Sequence, residues 1–433
     1  MKLIKMMLCL ALASALVVLN ACATNKVGGY TSHNPDYSNG VSTVEPNLQT
    51  TLSRGVYTFQ NSKEDKYLSF NDRQLKLDAN ATVWKLRPAN NGVYVYCCNN
   101  DLLLDIDNAY VANGTTVKIW ENTGYDTQIW KVVSNRNGTY SFISAVNESY
   151  CLGFIDGKAV LQLRSNGDSS QEWYAVSTVD NTPKNYREYI SNGGIVELRL
   201  PVNVTDVIPD ARLLQWANDL EKAYHSYEDL TSFRPYDFII VKAYEPITQY
   251  ENVLAYVYDY NNTIYVDSEF ILKDLAKMNK RVNDWNFCLL HEMGHMFDCN
   301  RPWNFEAETL TDIKVPYVLE MNGAGAELSE FGDKSIRYGK DIMLSYKEMS
   351  GDLSKKYDIF ALSYKFMQIK EQIGWKSFKS TFHYLQKNQE KYYNLSKKER
   401  FELFINTLSS NSGQNVRTYF SDDEWNTIIE HLK

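Results

Sequence analysis

Three regularly spaced tryptophans constrain the first half of this chain more than any other feature. Trp84, Trp130 and Trp173 close the triplets Thr82-Val83-Trp84, Gln128-Ile129-Trp130 and Gln171-Glu172-Trp173, 46 and 43 residues apart. A period of that size marks one supersecondary unit present in several copies. Between the triplets run short segments such as GVYTF, YLSF, GVYVYC and TYSFIS, separated by Asn, Gly and Asp. That alternation predicts strands and turns. A β unit of this length cannot bury its own apolar face, so the three copies must close on a shared core, with the tryptophans inside.

At 433 residues the chain is long for one core, and two domains are expected. From Gly194 the pattern changes. IVELRL reads as a strand, Pro209 to Tyr227 as a helix, and FIIVKAY, VLAYVYDY and TIYVD as further strands. After Asp267 the chain reads as mostly helical, with later helices at Tyr357 to Ile373, Trp375 to Gln386, Lys398 to Leu408 and Asp422 to Leu432. The expected architecture is an all-β domain at 51–178, a linker at 179–190 and an α+β domain with a helical C-terminal part at 191–433. The net charge of −8, with no basic block to track phosphates, excludes a nucleic-acid partner as the working expectation.

The first 22 residues read as a signal segment. Lys2 and Lys5 precede an apolar run, Met6 to Leu19, that is short for a membrane span. It ends in Leu19-Asn20-Ala21-Cys22, which resembles a bacterial lipobox. That resemblance implies lipidation of Cys22, and so an exported lipoprotein anchored to a membrane at the cell surface. Residues 23–50, rich in Asn, Ser, Thr and Gly, suit a flexible tether. Beyond Cys22 there remain Cys97, Cys98, Cys151, Cys288 and Cys299, an odd and sparse set that makes no disulfide framework.

The chemistry is concentrated in LLHEMGHMFDCNRPWNFEAETLTD, residues 289–312. Asn283-Asp284 can cap a helix running through Trp285 and Leu289 to Phe297. On it His291 and His295 stand one turn apart on one face, a spacing from which two imidazole nitrogens reach one Zn²⁺. Glu292 is placed to deprotonate a water at that metal. A third ligand must come from downstream, and no histidine follows until His383. The acids in range are Asp298, Glu306, Glu308, Asp312 and Glu320. On a helix Glu308 and Asp312 share a face, so the glutamate can bind zinc while the aspartate holds the outer N–H of a ligand histidine. Glu306 has Leu310 at that offset. We therefore expect His291, His295 and Glu308 as zinc ligands, with Asp312 in support. Pro316 is expected to kink or end this second helix.

Two family resemblances attach to these motifs. The repeated triplets resemble the Gln-x-Trp of ricin-type β-trefoil lectins, over about 125 residues. That resemblance implies a sugar site in the second copy formed by Asp105, Trp120 and Gln128. A carboxylate can bind sugar hydroxyls there while an indole stacks on the sugar face. Ser69 in the first copy, and Gly153 and Arg164 in the third, imply that those two copies lack such a site. From about residue 190 onward, YVDSEFILKDL, the His-Glu-x-x-His motif with Glu308 13 positions later, EQIGWKSFKSTFHYLQ and ELFINTLSSNSGQNVRTYFSDDEW are similar to enhancin-like, mucin-degrading zinc peptidases of the gluzincin type. Where that family often has asparagines after the glutamate ligand, this chain has Leu310-Thr311-Asp312. The resemblance implies a zinc endopeptidase acting on O-glycosylated proteins such as mucins. Negative charge developing on the tetrahedral intermediate needs a donor besides the zinc, and Tyr317 and Tyr338 are candidates that the sequence does not place. Two other readings stand beside it: a non-catalytic glycan-binding surface adhesin, and a zinc peptidase of unglycosylated peptides. The retained Glu292 weighs against the first.

Overall fold

The computed structural model describes residues 50–433, apart from 53, 90, 249–252, 259–260, 282, 299 and 329–334. The signal segment, Cys22, the tether up to residue 49 and Cys299 lie outside the described residues. Among these no helix is long and apolar enough to cross a membrane. The chain forms two compact units that divide between Lys184 and Asn185.

The first unit is an all-β trefoil. Its strands are β1 (Gly55–Asn61), β2 (Tyr67–Asn71), β3 (Gln74–Asp78), β4 (Trp84–Ala89), β5 (Gly92–Cys97), β6 (Leu103–Ile106), β7 (Val117–Trp120), β8 (Ile129–Ser134), β9 (Tyr140–Ser144), β10 (Tyr150–Ile155), β11 (Lys158–Leu163) and β12 (Trp173–Ser177). Six of them close a barrel: β1 pairs β4 and β12, β5 pairs β4 and β8, and β9 pairs β8 and β12, all antiparallel. The hairpins β2–β3, β6–β7 and β10–β11 complete one copy each. Closure removes exposed sheet edges and explains why three copies are needed.

Trp84, Trp130 and Trp173 are fully buried in that core. The Trp84 Nε1–H donates to Leu68 O at 3.0 Å, and Trp130 makes the same bond one copy later, to Leu104 O at 3.1 Å. The glutamines of the triplets serve the backbone. Gln128 donates to Glu121 O (2.7 Å) and accepts from Thr123 N (2.8 Å). Gln171 likewise donates to Leu163 O (3.0 Å) and accepts from Ser165 N (2.9 Å). Thr82 is too short for this, and its hydroxyl meets that of Ser69 at 2.8 Å.

The second unit opens with β13 (Tyr186–Ile190) and β14 (Val196–Pro201). This corrects the expected linker: residues 186–190 are a strand, held antiparallel to β14 across a turn closed by Gly194 N on Ser191 O (2.9 Å). With β15 (Ile239–Lys242), β16 (Ala255–Val257) and β17 (Thr263–Val266) they form one sheet, ordered β13-β14-β15-β17-β16. β14, β15 and β17 run parallel, and β16 lies antiparallel at the edge. Leu198, Val241 and Ile264 face one core with Trp216, Leu220 and Tyr224 of α1 (Asp210–Thr231).

The helices after β17 are α2 (Ser268–Met278), α3 (Phe287–Met296), α4 (Ala307–Asn322), α5 (Ile342–Met349), α6 (Ile359–Lys387), α7 (Lys397–Ser412) and α8 (Asp422–His431). The hairpin β18 (Gly325–Glu327) and β19 (Ile336–Tyr338) follows α4. α6 is broken at Gly374, whose φ of 73° a side chain would resist, so the two expected helices meet there.

Two details depart from expectation. The cap of α3 is Asn286, not Asn283-Asp284, because residues 283–285 are drawn into backbone bonds with Gly325. α4 does not end at Pro316 but runs on to Asn322. Proline there leaves the Asp312 carbonyl without its helical N–H. The buried Tyr346 hydroxyl of α5 donates to that carbonyl at 2.8 Å and takes its place.

Candidate metal centre

α3 starts at Asn286, whose side chain accepts from Leu289 N at 3.0 Å. Leu289, Leu290 and Met293 bury its apolar face completely. That anchoring turns His291 and His295 toward α4, their rings 4.7 Å apart and nearly perpendicular. Their Nε2 atoms lie 3.1 Å from each other. α4 supplies the rest. Glu306 is its N-cap, accepting from Thr309 N at 2.6 Å. Two residues on, in the first turn, Glu308 turns into the cluster, with Oε2 3.0 Å from His291 Nε2 and 3.7 Å from His295 Nε2. One ligand atom from each of His291, His295 and Glu308 lies within 4.8 Å of the other two.

The outer nitrogens of the imidazoles are held as well. His291 Nδ1 lies 2.9 Å from Asp312 Oδ1, one turn beyond Glu308 on the same helix face. His295 Nδ1 lies 3.1 Å from the Thr311 hydroxyl. If each Nδ1 carries its proton, two ring lone pairs and a carboxylate converge with nothing between them but mutual repulsion. A cation relieves it. Glu308 Oε1 is buried and has no hydrogen-bond partner, a further donor atom left for such an ion. The electrostatics agree. Burial would depress His291, yet hydrogen bonds to Asp312 and Glu308 raise its pKa well above the usual value. Burial would raise Glu308, yet the charge of His295 and its bonds to both imidazoles hold it well below the usual carboxylate range. The cluster thus favours positive charge at its centre, and its donor set of two nitrogens and one carboxylate suits zinc.

Glu292 is 9 % exposed. Burial raises its pKa, with His295 and His291 opposing and Glu308 adding to the rise. The remaining acids have other work. Asp298 pairs with Lys314, and Glu320 accepts from Lys370 and from Trp375 Nε1 (3.0 Å). The Tyr317 hydroxyl donates to Asp229, and Tyr338 lies half-exposed on β19. The sequence by itself assigns no role to Thr311, Lys314 or Tyr346, and carries no signal that a lysine on α4 would be fully buried.

Gly294 lets α3 and α4 approach here. A Cβ added to it would lie 2.8 Å from Thr311 Cγ2. Gly294→Ala is expected to destabilise the chain by about 1–3 kcal/mol through overpacking, read from chemical denaturation midpoints.

In the trefoil, Asp105, Trp120 and Gln128 belong to one copy, but the indole is not an open platform. The Arg73 guanidinium lies 4.0 Å and the Lys118 ammonium 4.1 Å from its ring centre. Arg73 is fixed there by a two-pronged bond to Glu121. Asp105 is buried, accepts from the Thr127 hydroxyl at 3.2 Å, and is pushed up to about 6 by burial. Gln128 already serves the backbone at both ends of its amide. In the third copy a Cβ on Gly153 would meet the Gln162 side chain at 2.6 Å, so that amide fills the equivalent place.

Among curated protein sequences no match is found. Solved structures similar to this chain include a designed three-fold symmetric protein, ThreeFoil, at 20 % identity, covering 29 % of this chain and 99 % of that one with a TM-score of 0.26. They also include the Rhizoctonia solani agglutinin, at 13 % identity, 30 % and 100 % coverage and a TM-score of 0.26. A third is an exo-β-1,3-galactanase from Clostridium thermocellum, at 19 % identity, 29 % and 30 % coverage and a TM-score of 0.26. Residues 270–425, the stretch that holds His291, Glu292, His295, Glu308 and Asp312, match the model of the family described as peptidase M60, enhancin and enhancin-like.

Proposed function

We propose that this chain is a zinc-dependent endopeptidase that hydrolyses peptide bonds in O-glycosylated proteins such as mucins. The observation that carries this reading is the convergence of His291, His295 and Glu308 beside Glu292. His291, His295 and Glu308 would hold the metal, with Asp312 aiming the first imidazole. Bound zinc supplies Lewis-acid polarisation of the scissile carbonyl and acidifies water. Glu292 takes the proton of the attacking water on its carboxylate and returns it to the leaving amine. Its burial favours the protonated intermediate form that this shuttle requires. The α3–α4 scaffold keeps these groups in place without reorganisation.

The match to the enhancin-like family model supports the peptidase assignment, and the trefoil supports a glycosylated substrate. Asp105 and Trp120 are the proposed glycan contacts, reached when the Arg73–Glu121 pair and Lys118 swing off the Trp120 ring, while Gln128 shapes the loop through its two backbone bonds. A weak sugar site tethered to the catalytic unit raises the local concentration of a densely glycosylated chain. Asp105→Ala with Trp120→Ala is therefore expected to raise KM on mucin and to spare kcat on a short glycopeptide. Enzymatic removal of O-glycans from the substrate is expected to abolish cleavage. Equal or faster cleavage of the deglycosylated protein overturns the substrate class and leaves a general zinc peptidase. We further propose that Cys22 anchors the chain through lipid. Cys22→Ser is expected to block lipidation and leave the chain unprocessed or released, and unchanged membrane fractionation together with an unchanged mass of the N-terminal peptide refutes the anchor.

A further inference from the structure

The two imidazoles of the metal centre are held in unlike ways. His291 meets a carboxylate directly, whereas His295 meets the hydroxyl of Thr311, 3.1 Å from its Nδ1. Behind that hydroxyl, at 3.4 Å, is Asp298 Oδ2. Behind Asp298 is the ammonium of Lys314, which donates to the same oxygen and, at 2.8 Å, to Gly294 O. The Asp298 and Lys314 side chains are both fully buried.

Such a pair is a costly way to fill space, because two ions lose their hydration and an apolar pair of equal volume is often as stable. The site is unfavourable for an anion in a second respect. Asp298 lies just beyond the C-terminal end of α3, where the helix presents its negative pole. Lys314 offsets both, bonding the carboxylate and a carbonyl of the last turn.

The consequence reaches the metal centre by hydrogen-bond direction. A carboxylate facing an ammonium has no proton to give, so Asp298 can only accept. A Thr311 proton that points to Asp298 leaves the Thr311 oxygen to accept from His295. That requires the proton of His295 on Nδ1 and its lone pair on Nε2, toward His291 and Glu308.

We propose that Lys314 and Asp298 are positioning residues which, through the Thr311 hydroxyl, set the metal-accepting tautomer of His295. The inference rests on the metallopeptidase reading for its purpose, but not for its test. The full chain is prepared without metal, with ¹⁵N-labelled histidine, and its imidazole nitrogens are observed by NMR at a pH that keeps them neutral. Zinc affinity is then measured by competition with a chromophoric chelator. Thr311→Val is expected to populate the Nε2–H form of His295 and to weaken zinc binding about 10–100-fold. Thr311→Ser restores the hydroxyl and is expected to stay within about twofold of the wild-type affinity, well inside the range of an outer-partner loss. Asp298→Asn with Lys314→Met removes both charges together, avoiding one stranded ion, and is expected to act in the same direction as Thr311→Val. Wild-type tautomer and affinity in Thr311→Val overturn the proposal. So does a Thr311→Ser protein as impaired as Thr311→Val, since packing would then be the cause. A wild-type chain that binds no zinc overturns the metallopeptidase reading, while the metal-free tautomer still decides this inference.

Discussion

Glu292→Gln is expected to lower turnover by about 10²–10⁴-fold, the range typical of a positioned general base, while the chain still takes up one zinc. The substitution is nearly isosteric, so α3 and its buried face should be undisturbed. What changes is that an amide cannot accept the proton of a water. Glu292 is separated in role from the ligands by geometry. The converging atoms come from His291, His295 and Glu308, and Glu292 is outside that set. Turnover on a glycopeptide and zinc content by atomic absorption check the two halves separately. Wild-type turnover in the variant removes Glu292 as the base. Loss of zinc together with turnover makes it a ligand instead.

His295→Ala and Glu308→Ala are expected to empty the metal centre, with an affinity loss larger than the roughly 10–100-fold typical of an outer partner. Glu306→Ala is expected to keep the metal. The two glutamates are two residues apart, and the start of α4 divides their roles. Glu306 precedes the first turn and turns its carboxylate back onto Thr309 N as a cap. Its loss should cost about 1 kcal/mol of stability. Glu308 lies within the turn and faces the imidazoles. Chelation of the wild-type chain should stop turnover, and added zinc should restore it. A Glu306→Ala protein without zinc, beside a Glu308→Ala protein that retains it, reverses the assignment.

The trefoil was legible because its signal is repetition. The near-regular spacing of Trp84, Trp130 and Trp173 reports three equivalent core positions, the small difference being taken up in the intervening loops. The i, i+4 spacing of His291 and His295 was legible for a similar local reason, since helix periodicity alone puts them on one face. So was the shared face of Glu308 and Asp312.

Where one helix meets another is not a local property, and there sequence reasoning ran out. Pro316 reads as a helix end by the rules of a single segment, yet α4 continues because Tyr346, 30 residues later, replaces the lost donor. Asn283-Asp284 reads as a cap until Gly325 claims that backbone. Tyr186 to Ile190 reads as linker until β14 folds back on it. Trp120 reads as an open platform until Arg73, from the preceding copy, lies over it.

By itself, then, the sequence determined the repeat, the order of the two units and the helical faces that carry His291, His295, Glu308 and Asp312, because each follows from periodicity along the chain. Only the tertiary structure decided that Glu308 Oε2 comes within 3.0 Å of His291 Nε2, and that a lysine and an aspartate 16 residues apart are sealed together behind His295. Those depend on the close packing of α3 against α4, where Gly294 leaves room for Thr311, and distances across such a contact are set by side-chain volume on both helices at once.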